Sequence, residues 1–155
     1  MSRFALTITR FASSAWVGAA VLFVINGVQQ TTSGKFESIT TDQLVLLRFP
    51  TYYITGFLLV GLSLLGAILS GNEVSPRQRR VLMVLFGLSL VIMLFDYLMV
   101  YLPLAEMITP PGKARPQGFQ TLHKWSMRVN SFDLLLVLIG SLTACWPRRV
   151  APDAR

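Results

Sequence analysis

Four long runs of apolar residues dominate the sequence and determine the solvent in which it folds. The runs cover about residues 11–28, 49–70, 81–102 and 125–146. As helices they would each be roughly 27 to 33 Å long, which matches the hydrocarbon core of a bilayer. Of the 155 residues, 53% are apolar and only 14% are charged. We therefore predict a single all-α integral membrane domain over residues 1–155, with four transmembrane helices in an antiparallel bundle.

The segment before the second run is polar and then amphipathic. Thr40 and Gln43 have the Thr-x-x-Gln spacing of a capping box, which typically begins a helix. We therefore expect a short interfacial helix ahead of the second span. Pro50 would then lie in the first turn of that span, and Pro103 would end the third span.

The charges of the chain indicate its topology. There are 14 basic and 7 acidic residues, and most of the basic ones lie between the apolar runs rather than along one basic stripe. This distribution favours membrane partners and argues against nucleic acid. With four spans, eight basic residues fall on the side of the two termini and six on the other side. The positive-inside rule therefore predicts a multi-pass protein of the cytoplasmic membrane with both termini in the cytoplasm.

Polar residues within the spans gather in the half that this topology makes extracytoplasmic. Asp96 and Asp133 would lie roughly 10 Å and 12 Å inside the membrane, at a similar level. His123, Ser126, Asn130 and Asp133 recur at i, i+3, i+7 and i+10, which is one face of a helix. We expect that face to point into the bundle, because polar groups that face lipid cost several kcal/mol.

Two interpretations of these polar residues remain open. In the functional one, Asp96 and Asp133 bind a cation or pass protons in an extracytoplasmic pocket, and Arg48 or Arg128 supplies the counter-charge. In the structural one, the same charges pair with one another and set the register of the helices. Separately, Tyr52, Tyr53, Tyr97 and Tyr101 are typical of an interfacial aromatic belt.

The sequence argues against catalysis and against a bound metal or cofactor. The chain has one histidine, and His123 and Cys145 would be roughly 33 Å apart on one helix, so neither a bis-histidine haem nor a multi-histidine zinc site is available. Nucleotide-binding fingerprints are missing as well. We expect a non-enzymatic protein that binds, conducts or exports a small solute or ion. The alternative is a structural or assembly subunit, with the bilayer, a second copy or another membrane protein as partner.

The fourth apolar run contains a motif that resembles one in a known family. Phe119-x-x-Leu122-His123-x-x-Ser126-x-x-x-Asn130, followed by a leucine run, resembles the closing motif of the transmembrane protein 205-like family, also called domain of unknown function 4149. Further agreement comes from Trp16-x-Gly18, Phe49-Pro50-x-Tyr52, Leu102-Pro103 and Gly140. The resemblance extends from about Ala15 to Trp146.

The resemblance implies a four-helix membrane domain whose biochemical function is unsettled, with some members associated with export of toxic compounds and drug resistance. It marks His123, Ser126 and Asn130 as motif positions. It also implies that four other residues are structural positions: Trp16, Gly18, Pro50 and Tyr52. Asp96 and Asp133 depart from the family pattern, so a mechanism through these carboxylates is not implied by the resemblance.

Overall fold

The computed structural model describes residues 2–146, and this part of the chain is built from helices. The helices are α1 (Ser2–Thr32), α2 (Ser38–Leu69), α3 (Pro76–Asp96), α4 (Leu102–Met107) and α5 (Phe119–Cys145). A π-helical turn at Tyr97–Tyr101 joins α3 to α4, and a 3₁₀ turn at Gly71–Glu73 follows α2. The basic residues at 148, 149 and 155 that entered the charge count lie outside the described residues.

Four helical segments are long and apolar enough to cross a membrane: α1, α2, the continuous stretch Pro76–Met107, and α5. They have 27 to 32 residues, which corresponds to roughly 40 to 48 Å of helix. Large apolar side chains cover their outer surface; Leu58, Val84 and Leu142 are each more than 60% exposed. A surface of this kind is suited to lipid, and the chain is a multi-pass membrane protein.

The ends of α2 and α3 follow from local signals. Gly71, just after α2, has a φ of 55°, a backbone conformation that favours glycine. The Ser75 side chain accepts a hydrogen bond of 3.1 Å from the Gln78 N–H, and Pro76 occupies the first turn of α3. These contacts satisfy the start of the helix in the expected way.

Three expected helix boundaries are wrong. Thr40 does not begin a helix, because α2 already starts at Ser38 and its N-cap Glu37 makes no side-chain capping bond. Pro50 lies in the interior of α2 rather than in a first turn. Pro103 does not end the third span, because the π-helical turn changes the hydrogen-bond pattern just before it and places Pro103 in the first turn of α4.

The segment before the second span is continuous with it. The helix α2 has 32 residues without a break, so a separate short helix does not precede the span in the described chain. Pro50 removes one backbone hydrogen bond, and neighbouring helices in a membrane protein tolerate such a loss. The interfacial position of the first turns of α2 stays a prediction.

Small residues let the helices approach closely in one half of the molecule. We call this the closed half; it contains the start of α1, the end of α2, the start of α3 and the end of α5. A Cβ atom at Gly66 would lie 2.6 Å from the Ala5 carbonyl oxygen, and one at Gly140 would lie 2.7 Å from the Phe86 ring. Hydrogen bonds add to this packing, with 2.9 Å between the Ser14 and Ser141 hydroxyl oxygens. At these positions the helices of the closed half are closely packed.

The opposite half, which we call the open half, contains the end of α1, the start of α2, α4, the loop 108–118 and the start of α5. Aromatic rings rather than small residues fill it. The rings of Phe49 and Tyr101 stack with centroids 5.6 Å apart, and Tyr53 and Tyr97 meet edge to face at 5.1 Å. Such rings hold the helices farther apart than glycine and serine do.

Candidate functional site

The open half encloses a cavity of about 510 Å³ between α1, α2, α4 and α5. Its walls are mainly apolar, with Phe23, Phe49, Leu104 and similar side chains on each side. The residues that line its inner end include three polar ones, Tyr52, Ser126 and Asn130. An apolar pocket with a few converging polar groups is the usual form of a small-molecule site.

The cavity also reaches the outer surface between α1 and α5. Val24 of α1 and Met127 of α5 both line it, and they are 54% and 50% exposed. In the closed half the same two helices touch, since the Arg10 Nε donates a 2.8 Å hydrogen bond to the Ala144 carbonyl oxygen. In the open half the cavity lies between these two helices and is open to the outside of the bundle at Val24 and Met127.

Asp96 lies behind the inner end of the cavity and is 2% exposed. Its Oδ2 accepts two hydrogen bonds, one of 2.5 Å from the Tyr53 hydroxyl and one of 2.8 Å from the Asn130 amide nitrogen. Asn130 Oδ1 in turn accepts a 3.2 Å hydrogen bond from the Tyr52 hydroxyl. Because Tyr52 and Asn130 both line the cavity, a continuous hydrogen-bond network connects the cavity to Asp96.

Asp133 is 4% exposed and lies one helical turn after Asn130 on α5, and Asn130 contacts Asp96. The Ser89 hydroxyl is also close to the Asp133 carboxyl group, but not in hydrogen-bonding geometry. Three buried oxygen atoms have no hydrogen-bond partner among residues 2–146: Asp96 Oδ1, Asp133 Oδ1 and Ser89 Oγ. The structure therefore buries both predicted carboxylates inside the bundle, each with one unpartnered oxygen.

Neither predicted arginine pairs with these carboxylates. Arg48 donates a hydrogen bond to Gln30 and lies over the Phe23 ring, 4.9 Å from its centroid. Arg128 is exposed. Within the described residues the ion pairs are Arg3 with Glu73 and Arg115 with Asp42. The expected counter-charge at Asp96 and Asp133, and with it the structural pairing of those charges, is not found.

The remaining predicted residues have different positions. Ser126 is buried beside Asn130, whereas His123 is exposed at the cavity wall and stacks on Phe119 with centroids 6.0 Å apart. Trp16 is buried in the centre of the bundle, but Gly18 is exposed on α1 with no atom near the place of a Cβ. The motif positions are therefore not a single site.

The aromatic-belt interpretation of the tyrosines is wrong for Tyr53 and Tyr101. These two side chains are 2% and 7% exposed, so they lie inside the bundle rather than at a lipid interface. Tyr53 reaches the interior because its hydroxyl has a partner there, Asp96. A buried tyrosine usually requires such a partner.

The sequence analysis did not predict a second polar contact, which lies at the far end of the cavity. Asp42 of α2 is 1% exposed and accepts hydrogen bonds from the Arg115 guanidinium group and, at 2.9 Å, from the Gly112 N–H. Arg115 also lies 4.9 Å above the centroid of the Phe119 ring. We call this contact the rim pair. It holds the loop 108–118 against the start of α2, where Asp42 and Arg115 both line the cavity.

Sequence signals for the missed residues differ in strength. Ser89 is seven residues before Asp96, which places both on one face of α3, so the spacing could have identified it. Asp42 and Arg115 are 73 positions apart, and no local pattern connects them. Tyr53 follows Tyr52 directly, and the sequence does not distinguish which ring points inward.

Comparisons with known proteins do not assign the chain to a family. The chain matches no protein-family model, and searches of curated proteins and of solved structures give no match either. Across residues 2–146, no three His, Cys, Asp or Glu side chains come together as a metal-ligand set. The resemblance to the transmembrane protein 205-like family stays a prediction from its motifs.

Proposed function

We propose that the protein binds a small solute in the cavity of the open half and conducts or exports it across the membrane, without catalysis. The observation that carries this proposal is the cavity of about 510 Å³, apolar along its walls and polar at its inner end. Its volume suits a drug-sized molecule. Its border with the lipid-facing surface suits a solute that partitions into the bilayer.

The proposal includes an antiparallel four-helix bundle. Two contacts support this arrangement. The start of α1 meets the end of α2, where Thr9 Oγ1 donates to the Ser63 carbonyl oxygen at 3.2 Å. The start of α1 also meets the end of α5 through Ser14 and Ser141. We further propose a cytoplasmic membrane location with both termini in the cytoplasm, for which the distribution of basic residues is the support. The open half would then face the extracytoplasmic side.

Membership of the transmembrane protein 205-like family is part of the same proposal. Its support is the motif on α5, where Ser126 and Asn130 lie together at the inner end of the cavity and His123 lies on its wall. An association of that family with export of toxic compounds agrees with a lipid-bordering cavity. An organic cation, ethidium, is therefore a suitable probe of transport.

Ethidium entry into proteoliposomes that contain DNA tests the proposal, because ethidium fluorescence rises when it reaches the DNA. The purified full chain should raise the entry rate above that of protein-free vesicles. Ala105→Trp places an indole in the cavity wall and should return the rate to the protein-free value. Leu88→Trp, on the lipid-facing surface of α3, is the matched control and should leave the rate unchanged. Equal rates with and without the wild-type protein would contradict the proposal.

A specific observation favours the alternative, a structural or assembly subunit. Gly18 and Ala19 of α1 are exposed and form a small-residue surface on the outside of the bundle. Small residues on an outer helix face let a second helix approach closely in a membrane. Purification in mild detergent followed by native mass measurement discriminates the two functions. A complex that dissociates on Gly18→Leu supports assembly, whereas a monomer under every condition counts against it.

A further inference from the structure

We infer that Asp96 and Asp133 form a binding site for one proton, in which Asp133 holds the proton and Asp96 keeps the negative charge. This inference deepens the proposed function, because it names the proton as the ion that would be exchanged for the solute. That role of the proton rests on the proposed function. Proton binding itself depends only on the pair and its surroundings.

The first step of the argument is the charge of the pair. Asp96 and Asp133 are both at least 96% buried, and Asp133 lies one helical turn after Asn130, which contacts Asp96. The groups that face them from the packed elements are the Tyr52 and Tyr53 hydroxyls of α2, Ser89 of α3 and Asn130 of α5. None of these is a cation. Two neighbouring carboxylates in a medium of low dielectric constant cannot both stay charged, so at least one binds a proton.

The second step is the asymmetry between the two carboxyl groups. Asp96 accepts hydrogen bonds from Tyr53 and from Asn130, both on Oδ2. Donated hydrogen bonds stabilise the charged form of a carboxyl group. Among residues 2–146, Asp133 accepts none that meets hydrogen-bonding geometry. The negative charge is therefore more stable on Asp96, and the proton on Asp133.

Ser89 is an independent observation that points to the same site. Each of the other buried serine and threonine hydroxyls among residues 2–146 has a hydrogen-bond partner. Thr9, Ser13, Ser63 and Ser70 donate to a carbonyl oxygen three or four residues earlier in the chain, Ser141 contacts the Ser14 hydroxyl, and Ser126 accepts from Asn130. Ser89 is 0% exposed, makes no such bond, and lies beside Asp133. Its hydroxyl is thus free to donate to the Asp133 carboxyl group.

One proton supplies the donor that this cluster lacks. In the deprotonated pair, Asp96 Oδ1 and Asp133 Oδ1 are acceptors without a donor. When a proton binds to Asp133, a new O–H bond forms and the carboxylate becomes a neutral carboxyl group. The Ser89 hydroxyl beside it can then accept from this O–H or donate to the carbonyl oxygen of the same group, after a small rotation of the side chain. Two of the three unpartnered oxygens, Asp133 Oδ1 and Ser89 Oγ, then take part in hydrogen bonds.

The site is connected to the cavity on one side. Asn130 contacts Asp96 directly, and it lines the cavity together with Tyr52. A solute that hydrogen-bonds to Asn130 would weaken the donation to Asp96 and so change which carboxyl group holds the proton. Solute binding and proton binding are therefore expected to influence each other.

Infrared spectroscopy of the purified full chain in lipid nanodiscs tests the inference. At neutral pH the wild type should show the C=O stretching band of a protonated carboxyl group. Asp133→Asn should abolish the band and Asp133→Glu should retain it at a shifted frequency, whereas Asp96→Asn should leave it present. Glu106→Gln, at an exposed carboxylate on α4, is the matched control and should have no effect. Comparing Asp133→Glu with wild type keeps the test valid if Asp133→Asn does not fold.

Three results would overturn the inference. The first is the absence of the band in the wild type at neutral pH. The second is a band that survives Asp133→Asn and disappears in Asp96→Asn. The third is a wild-type band that disappears at constant pH when sodium replaces potassium, which would identify a sodium site. The spectra do not depend on transport, so the two experiments test the two proposals separately. If the infrared test fails but Ala105→Trp blocks ethidium entry, the proton site is wrong and the solute cavity stands. If the infrared test succeeds but the protein does not raise ethidium entry, the proton site stands and the solute cavity is wrong.

Discussion

The closed and open halves of the bundle are built from the same four helices, yet they differ in what lies between them. In the closed half Gly66 and Gly140 allow backbone and ring atoms to approach to the limit of van der Waals contact. In the open half tyrosine and phenylalanine rings separate the helices and leave a cavity of about 510 Å³. Residue size along each helix therefore decides where the bundle is solid and where it can hold a ligand.

Polar groups divide between the halves in a corresponding way. In the closed half buried hydroxyls such as Ser13 and Ser63 donate to carbonyl oxygens of their own helix. In and next to the open half, polar side chains contact side chains of other helices, as Tyr53 and Asn130 do with Asp96. Polar contacts between helices occur in both halves. In the closed half they are separate bonds such as that from Arg10 Nε to the Ala144 carbonyl oxygen, whereas around Asp96 they form one connected network of side chains.

The largest effect is expected from added volume in the closed half. Gly66→Ala places a Cβ against the Ala5 carbonyl oxygen and the Thr9 hydroxyl, and backbone cannot move away as a flexible side chain can. We expect a loss of about 3 kcal/mol in the free energy of unfolding. Gly61→Ala on the same helix has open space and gains the same helix propensity, so the difference between the two variants isolates the contact. Equal unfolding midpoints in detergent would contradict a tightly packed closed half.

A smaller effect is expected from the rim pair of the open half. Arg115→Ala leaves Asp42 buried with only the Gly112 N–H as donor. We expect a loss of about 2 kcal/mol, less than for a fully buried pair because the Arg115 side chain is 35% exposed. Hydrogen exchange of the amides in the loop 108–118 should accelerate. Lys113→Ala, at an exposed residue of the same loop, serves as the control, and faster exchange in both variants would argue against a specific role for the pair.

The smallest effect on stability is expected from added volume in the open half. Ala105→Leu extends into the cavity, where free volume accepts the extra side chain. The free energy of unfolding should change by less than about 0.5 kcal/mol, in contrast to the smaller substitution at Gly66. Ethidium entry into proteoliposomes should nevertheless fall, because the cavity is partly filled. A large loss of stability would show that the open half is packed as tightly as the closed one.

Parts of the polar site could be predicted from residue spacing. Of the i, i+3, i+7 and i+10 positions of α5, Ser126 and Asp133 are buried, whereas His123 is exposed. The arginine partners could not be predicted, because a long side chain such as that of Arg48 can reach several neighbours. Its guanidinium group lies instead between Gln30 and Phe23.

Helix boundaries in the membrane were harder to predict than helix existence. Pro50 and Pro103 would each end or begin a helix in a soluble protein, but both lie within helical stretches here. The bilayer core provides no water for an interrupted backbone, which favours continuing the helix with a local adjustment such as the π-helical turn at Tyr97–Tyr101. The rule that proline begins or ends a helix thus fails at Pro50, in the interior of α2.

The sequence by itself determined that four helices are long and apolar enough to span a membrane, because length and hydropathy are local properties of each segment. Only the tertiary structure decided which side chains meet. The contact between Tyr53 and Asp96 joins residues 43 positions apart, and the rim pair joins residues 73 apart. Such contacts depend on how each helix is rotated and tilted against its neighbours, which is a result of packing the whole bundle rather than of any one segment.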